Sequence, residues 1–187
     1  MEWMILPLRR YADFQGRSRR MEYWMFFLFT VLVNIVFAIV LLLVGGGAAM
    51  MAGGLDQDNP TGLMAAGGAV GIIYLINIVF SLGILIPSIA VGVRRLHDTN
   101  RTGWWLLMPV VPYLLGIVLI LAGVAVIGSG SGGGFGTFAV IGGVMVLAAL
   151  AAGIALLIFL FLPGTVGPNR FGADPKDPGS NLESVFS

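Results

Sequence analysis

Two short segments hold most of the residue types in this chain that could do chemistry. One reads Phe14-Gln15-Gly16-Arg17-Ser18-Arg19-Arg20-Met21-Glu22-Tyr23-Trp24, the other Arg94-Arg95-Leu96-His97-Asp98-Thr99-Asn100-Arg101-Thr102-Gly103-Trp104-Trp105. Each sets three Arg beside one acid and closes on an aromatic pair. The planar guanidinium fork suits bidentate pairing with carboxylate or phosphate, so ion pairing or anion recognition is on offer. His97 beside Asp98 adds a second option, a general base or half of a catalytic dyad. The plainer reading is that Asp98 pairs locally while His97 packs. The sequence has one His and no Cys. Neither a metal cage nor a catalytic triad can be assembled from that stock within one chain. No catalytic, cofactor-binding or metal-ligating residue is therefore expected, and no cofactor.

The elements that must position these charges are apolar. Hydrophobic residues make up 58% of the 187 residues and charged ones only 10%, too few to clothe a soluble domain. Four runs are long enough to cross a hydrocarbon core as helices: Tyr23–Val44, a second ending at Val93 and beginning near residue 70, Trp104–Ile127 and Phe138–Leu162. None contains Asp, Glu, Lys, Arg or His. The first run is too long and too far from the start for a cleavable leader. The expected fold class is an all-α membrane protein, four transmembrane helices in a small bundle.

Orientation follows from the cations between the runs. Lys and Arg number five before the first run (Arg9, Arg10, Arg17, Arg19, Arg20), three between the second and third (Arg94, Arg95, Arg101), and two after the fourth (Arg170, Lys176). The other two connections have none and carry only Asp56 and Asp58 as charges. The positive-inside rule places the cationic segments, and both termini, in the cytoplasm.

The outer connections, around Gly45–Gly62 and Gly128–Gly136, are Gly-rich. They read as linkers, because no strand–loop–helix context marks a phosphate loop. Segment 1–22 is cytoplasmic. Its Trp3, Leu8 and Tyr11 recur at helical spacing against Arg9, Arg10 and Asp13, and Pro7 suits a first helical turn. That segment is either an interfacial amphipathic helix or a partly ordered tail. The tail 163–187, with its Pro and Gly, is expected to be irregular.

Together with Gly167-Pro168-Asn169-Arg170-Phe171-Gly172-Ala173-Asp174-Pro175 after the fourth run, the two charged segments resemble the bacterial domain-of-unknown-function 805 family. Its pattern is similar to G-R-x-x-R-x-E-Y-W, then R-R-L-H-D-x-x-R-x-G-W-W, then N-x-[YF]-G-x-D-P. Thr102 stands where Ser is common and Phe171 where Tyr is common; neither touches a charged position. The resemblance spans nearly the whole chain and implies a small inner-membrane protein, but carries over no catalytic or binding residues.

The candidate cluster is Arg17, Arg20, Glu22, Arg94, Arg95, His97, Asp98, Arg101, Asn169 and Asp174. One reading matches Glu22, Asp98 and Asp174 to Arg17, Arg20, Arg94, Arg95 and Arg101 as a structural network. The other is a site for an anionic phospholipid headgroup. Within the three motifs seven Arg face three acids, and this surplus speaks for headgroups, though topology determination explains it equally well. Polar groups inside the runs, Asn34 and Asn77 foremost, are expected to hydrogen-bond between helices or to line a water path. Pro87 frees the carbonyl of Gly83 and is expected to kink its helix; Pro109 and Pro112 should bend the start of the third. Ala139/Gly143 and Ala149/Gly153 allow close helix approach.

With no ionisable residue at depth, coupled transport is disfavoured. The expected function is a non-enzymatic inner-membrane protein whose Arg-rich cytoplasmic face binds anionic lipid headgroups or a protein partner. The alternatives are an oligomeric passive channel or small-solute transporter and, behind it, a membrane enzyme acting on lipids. Expected partners are the bilayer, anionic phospholipid, and a second copy or another membrane protein; nucleic acid is not among them.

Overall fold

The structure, a computed structural model, describes residues 2–51, 60–128 and 135–177. In chain order it contains α1 (Glu2–Arg9), α2 (Arg20–Met51), α3 (Pro60–Asp98), a 3-10 turn (Gly103–Leu106), α4 (Leu107–Gly128) and α5 (Phe135–Phe161). The chain is all-α, and α2 to α5 are each long and apolar enough to cross a membrane. Their candidate spans are Arg20–Gly47, Gly67–Asp98, Gly103–Val126 and Gly136–Phe161.

Helices outrun the apolar runs at most ends. The 32 residues of α2 extend roughly 48 Å at 1.5 Å per residue, well past a hydrocarbon core of about 30 Å. Hydropathy marks the lipid boundary, whereas the helix continues as long as its hydrogen-bond ladder does. Gly45–Gly47 therefore belong to α2, and the Gly/Ala-rich lead-in before Ile72 to α3. Residues 52–59 and 129–134 of the Gly-rich connections lie outside the described residues, as does their linker reading. The end of the tail, 178–187, lies outside them too. Residues 162–177 contain no helix and fold through turns, with an isolated bridge between Asn169 and Gly172.

The most consequential extension is that of α3. It runs through Arg94, Arg95, His97 and Asp98, which were expected in a connection spanning 94–103. Arg and Leu are good helix formers, and no Gly or Pro between Val93 and Asp98 interrupts the ladder. The charged motif is thus mounted on the last turns of a membrane helix.

The chain divides into two compact units, Met1–Asp13 with Met21–Val91, and Phe14–Arg20 with Gly92–Ser187. In the first, Glu2–Arg9 is helical, but Pro7 sits in the last turn of α1, not the first. The helix stops two residues later, and Tyr11 lies beyond it. The Tyr11 hydroxyl donates to the carbonyl of Gly83 at 2.7 Å. Pro87, four residues on, has no N–H to offer that carbonyl. Tyr11 thereby supplies the donor that proline withholds, and α3 runs continuously through Pro87. Tyr11→Phe is expected to cost about 1–2 kcal/mol, the worth of one hydrogen bond whose loss orphans a carbonyl. Thermal unfolding in mixed micelles would register it; an unchanged midpoint would show that water serves Gly83 equally well. Elsewhere in this unit the Phe37 and Phe80 rings meet at 5.7 Å between α2 and α3.

In the second unit α4 packs on α5 through small residues. A Cβ on Gly116 would lie 2.9 Å from the Gly142 carbonyl, and one on Gly142 equally close to that of Gly116. The expected small-residue register is therefore off by one at this point: Gly142 makes the close approach, and Gly143 faces open space. Ala149 and Ala152 are buried, while Gly153 has only Pro109 nearby, at 3.9 Å. The third apolar run opens as the 3-10 turn, whose Trp104 and Trp105 carbonyls accept the Leu107 N–H, and α4 continues through Pro112. Pro109 then falls in the first turn of α4, where no donor is required.

Candidate functional site: an arginine-capped helix junction

The second unit brings together the end of α3, the end of α5, the Phe14–Arg20 segment and the tail. The end of α3 is a Schellman motif. Asn100 takes a left-handed conformation (φ 59°), Asn100 N–H donates to the His97 carbonyl at 3.0 Å, and Arg101 N–H reaches back to Leu96 at 2.9 Å. Asn tolerates this conformation better than most non-glycine residues, which explains its place there. The remaining C-terminal carbonyls are met from a distance. Ser18 N–H donates to Arg94 at 3.1 Å, and Thr165 N–H to Asp98 at 2.8 Å. The Asn169 amide donates to the His97 carbonyl at 3.0 Å and to Thr165 Oγ1 at 2.9 Å.

Asp98 is the centre. One carboxylate oxygen accepts Arg17 Nε at 3.0 Å, and Arg17 Nη2 lies 2.8 Å away; the other takes Arg95 Nη1. All three residues are buried: Arg17 is 6% exposed, Asp98 2% and Arg95 0%. Each guanidinium also reaches backbone oxygens. Arg17 donates to Thr165 at 2.5 Å and Gly167 at 2.6 Å, and Arg95 to Leu160 at 3.1 Å and to Leu162. The Leu160 and Leu162 carbonyls are the unsatisfied end of α5, where the helix dipole also favours a cation.

The same logic holds for the outer arginines. Arg20 reaches the Phe161 carbonyl at a long 3.4 Å, Arg19 Nε the Pro175 carbonyl at 2.6 Å, and Arg170 the Asn100 carbonyl at 3.0 Å. Arg101 lies 3.9 Å over the Phe159 ring and donates to Thr99 at 3.3 Å. Burying an arginine costs several kcal/mol unless its donors are met, so these carbonyls matter as much as the one carboxylate. Helix ends and turns thus take up much of the surplus of cations over acids.

The expected pairing is corrected on this point. Asp174 is held by backbone N–H groups, Lys176 at 2.9 Å and Gly167 at 3.0 Å, and shapes the tail turn. Those donors, Lys176 first, hold its carboxyl below the ordinary aspartate range, with the Arg17 and Lys176 charges adding to them. Glu22 (3% exposed) sits on α2 in the first unit, and Arg94 (0%) on α3; both are engaged.

Among the described residues, His97 is held by a carbonyl and an aromatic ring. Its Nδ1 donates to the Gly16 carbonyl at 3.1 Å, and its ring stacks on Phe171 at 3.9 Å. Both Asp98 oxygens belong to arginines, so Asp98 does not orient the imidazole. Of the candidate residues, Arg17, Arg95, His97, Asp98 and Asn169 form the junction's interior, while Arg20, Arg101 and Asp174 lie at its margin. Sequence reasoning missed Gly164, Thr165 and Ser18. The readable signal was the cation surplus itself, which requires acceptors that are not acids.

These features define a class: an integral membrane protein with four membrane-spanning helices and an arginine-capped junction at the ends of two of them. The chain belongs to the DUF805 family, described as a protein of unknown function, whose sequence profile matches residues 11–173. It is 31% identical to inner membrane protein YhaH of Escherichia coli K12 over 176 residues, covering 94% of this chain and 98% of that one. It is 28% identical to inner membrane protein YhaI of the same strain over 181 residues, covering 97% and 100%. No solved structure matches.

Proposed function

We propose that this inner-membrane protein is non-enzymatic and that its outer arginines hold anionic lipid headgroups at the cytoplasmic surface, around a junction that is itself structural. The observation that carries this reading is the division of the arginines into two sets. Arg17, Arg94 and Arg95 are enclosed, and no headgroup phosphate has access to them. Arg20 and Arg170 are exposed, as are Arg9 and Arg10 in the other unit. Trp104, 77% exposed, starts the third span, at the depth where indole rings favour the interface. Each exposed cation near an anionic leaflet contributes about 1 kcal/mol of attraction.

Headgroup binding therefore belongs to Arg20 and Arg170, and the buried pair Arg94 and Arg95 are the wrong residues with which to test it. Native mass spectrometry from phosphatidylglycerol-containing micelles is expected to show retained lipid in the wild type. Arg20→Ala with Arg170→Ala should lower that retention about thirtyfold, as two such contacts imply. Equal retention by wild type and variant would remove the lipid reading and leave a protein partner as the alternative. Orientation is tested in the Cys-free chain by Ala173→Cys, expected to resist impermeant maleimide in intact cells; ready labelling would reverse the topology.

A further inference from the structure

The surface of the first unit holds a mostly apolar cleft, with two carboxamides in its wall, at membrane depth. Asn34, near the middle of the Arg20–Gly47 span, and Asn77 on α3 line it with Tyr74, Phe37 and Ala38, around about 170 Å³. Asn34 is exposed and Tyr74 is 54% exposed, on helices whose most apolar windows bury nothing within the protein. The Asn34 amide nitrogen donates to its own helix, to the Thr30 carbonyl at 2.8 Å, and its Oδ1 remains an acceptor. The Asn77 amide has no hydrogen bond among the described residues. A carboxamide facing hydrocarbon carries a desolvation cost that a hydrogen bond from a neighbouring helix removes. The cleft thus sets two amides in an otherwise apolar wall, and their hydrogen bonding is incomplete as it stands.

We infer that this cleft is a self-association surface, occupied by a second copy of the chain. A carboxamide is both donor and acceptor, so the patch is complementary to itself, as a two-fold interface requires. A two-fold axis along the membrane normal joins equal depths of the two copies. Asn34 and Asn77 line one cleft and therefore share one depth, so Asn34 of one copy can meet Asn77 of the other. Ala38, small and exposed beside them, lets the helices approach.

The test is photobleaching step counting of labelled protein in phosphatidylethanolamine/phosphatidylglycerol liposomes across a dilution series. The wild type is expected to be dimeric at high density and to dissociate on dilution. Asn34→Leu and Asn77→Leu should each weaken the pair about tenfold, in line with an interhelical polar contact in lipid. Both replace a lipid-facing amide by an apolar side chain, so neither should impair folding. In the Cys-free chain, Ala38→Cys should cross-link between copies, while Leu121→Cys on the exposed face of α4 reports random collision. Single-step bleaching of the wild type at every dilution would overturn the inference. So would a dimer as tight in both Leu variants, or a small molecule retained by monomers and released by Asn77→Leu, which would assign the cleft to a ligand. None of these outcomes bears on the arginines of the lipid-binding reading.

Discussion

Asp98→Ala is expected to cost about 3–5 kcal/mol of stability, because it strands two enclosed guanidinium groups without their shared counter-charge. The magnitude follows from burial. Arg17 and Arg95 lie almost wholly out of water, and the Asp98 carboxylate is the charge that both contact. Asp98→Asn keeps the shape and one acceptor oxygen but removes the charge, so a smaller loss, roughly half, is expected. Denaturant unfolding in mixed micelles, followed by helical circular dichroism, measures both. If Asp98→Ala unfolded within about 1 kcal/mol of the wild type, the arginines would be held by carbonyls alone, and the carboxylate would not be the keystone. Lipid retention gives a second readout: at temperatures where both remain folded, Asp98→Asn should retain phosphatidylglycerol, because Arg20 and Arg170 hold other partners.

Gly164→Ala is expected to be nearly as damaging, at about 3 kcal/mol, although alanine adds only a methyl group. That methyl would lie 2.6 Å from Asp98 Oδ1 and closer still to Oδ2. The carboxylate has no room to yield, since Arg17 and Arg95 hold its two oxygens and Thr165 holds its backbone carbonyl from the next position. The chain after α5 must pass directly over the Asp98 side chain, and only glycine permits the approach. A comparison at Gly167 separates this effect from backbone freedom. Gly167 has a positive φ of 76° but open space around it, so Gly167→Ala strains the backbone and meets no neighbour. Gly164→Ala should therefore cost clearly more. Equal losses would mean that the carboxylate moves aside at little cost.

Much of this architecture was legible beforehand, and the reason is solvent. Tyr23–Val44, Trp104–Ile127 and Phe138–Leu162 are apolar over lengths that only a membrane helix satisfies, and the described helices cover them save for the 3-10 turn that opens the second of these and for Leu162. Local chemistry was legible too: Pro87 pointed to an orphaned carbonyl at Gly83, though not to Tyr11 as its donor, which lies 72 residues away. Membership of the charged junction was readable as well, since Arg17, Arg95, Asp98 and Asn169 all stood in the motifs. Who binds whom was not. Asp174 looked like a partner for arginine, yet it serves backbone N–H groups, and the acceptors that replace it are main-chain oxygens of Thr165, Gly167, Leu160 and Leu162.

Alone, the sequence determined the solvent and the class: an apolar chain whose cations are spaced between four helix-length runs has to live in a bilayer. Tertiary structure decided what the cations do. Every residue carries a carbonyl, so no letter of the sequence marks which ones become acceptors. Only the meeting of the α3 and α5 ends creates unsatisfied carbonyls within reach of Arg17 and Arg95, and that meeting divides the arginines into those that hold the protein together and those left facing outward.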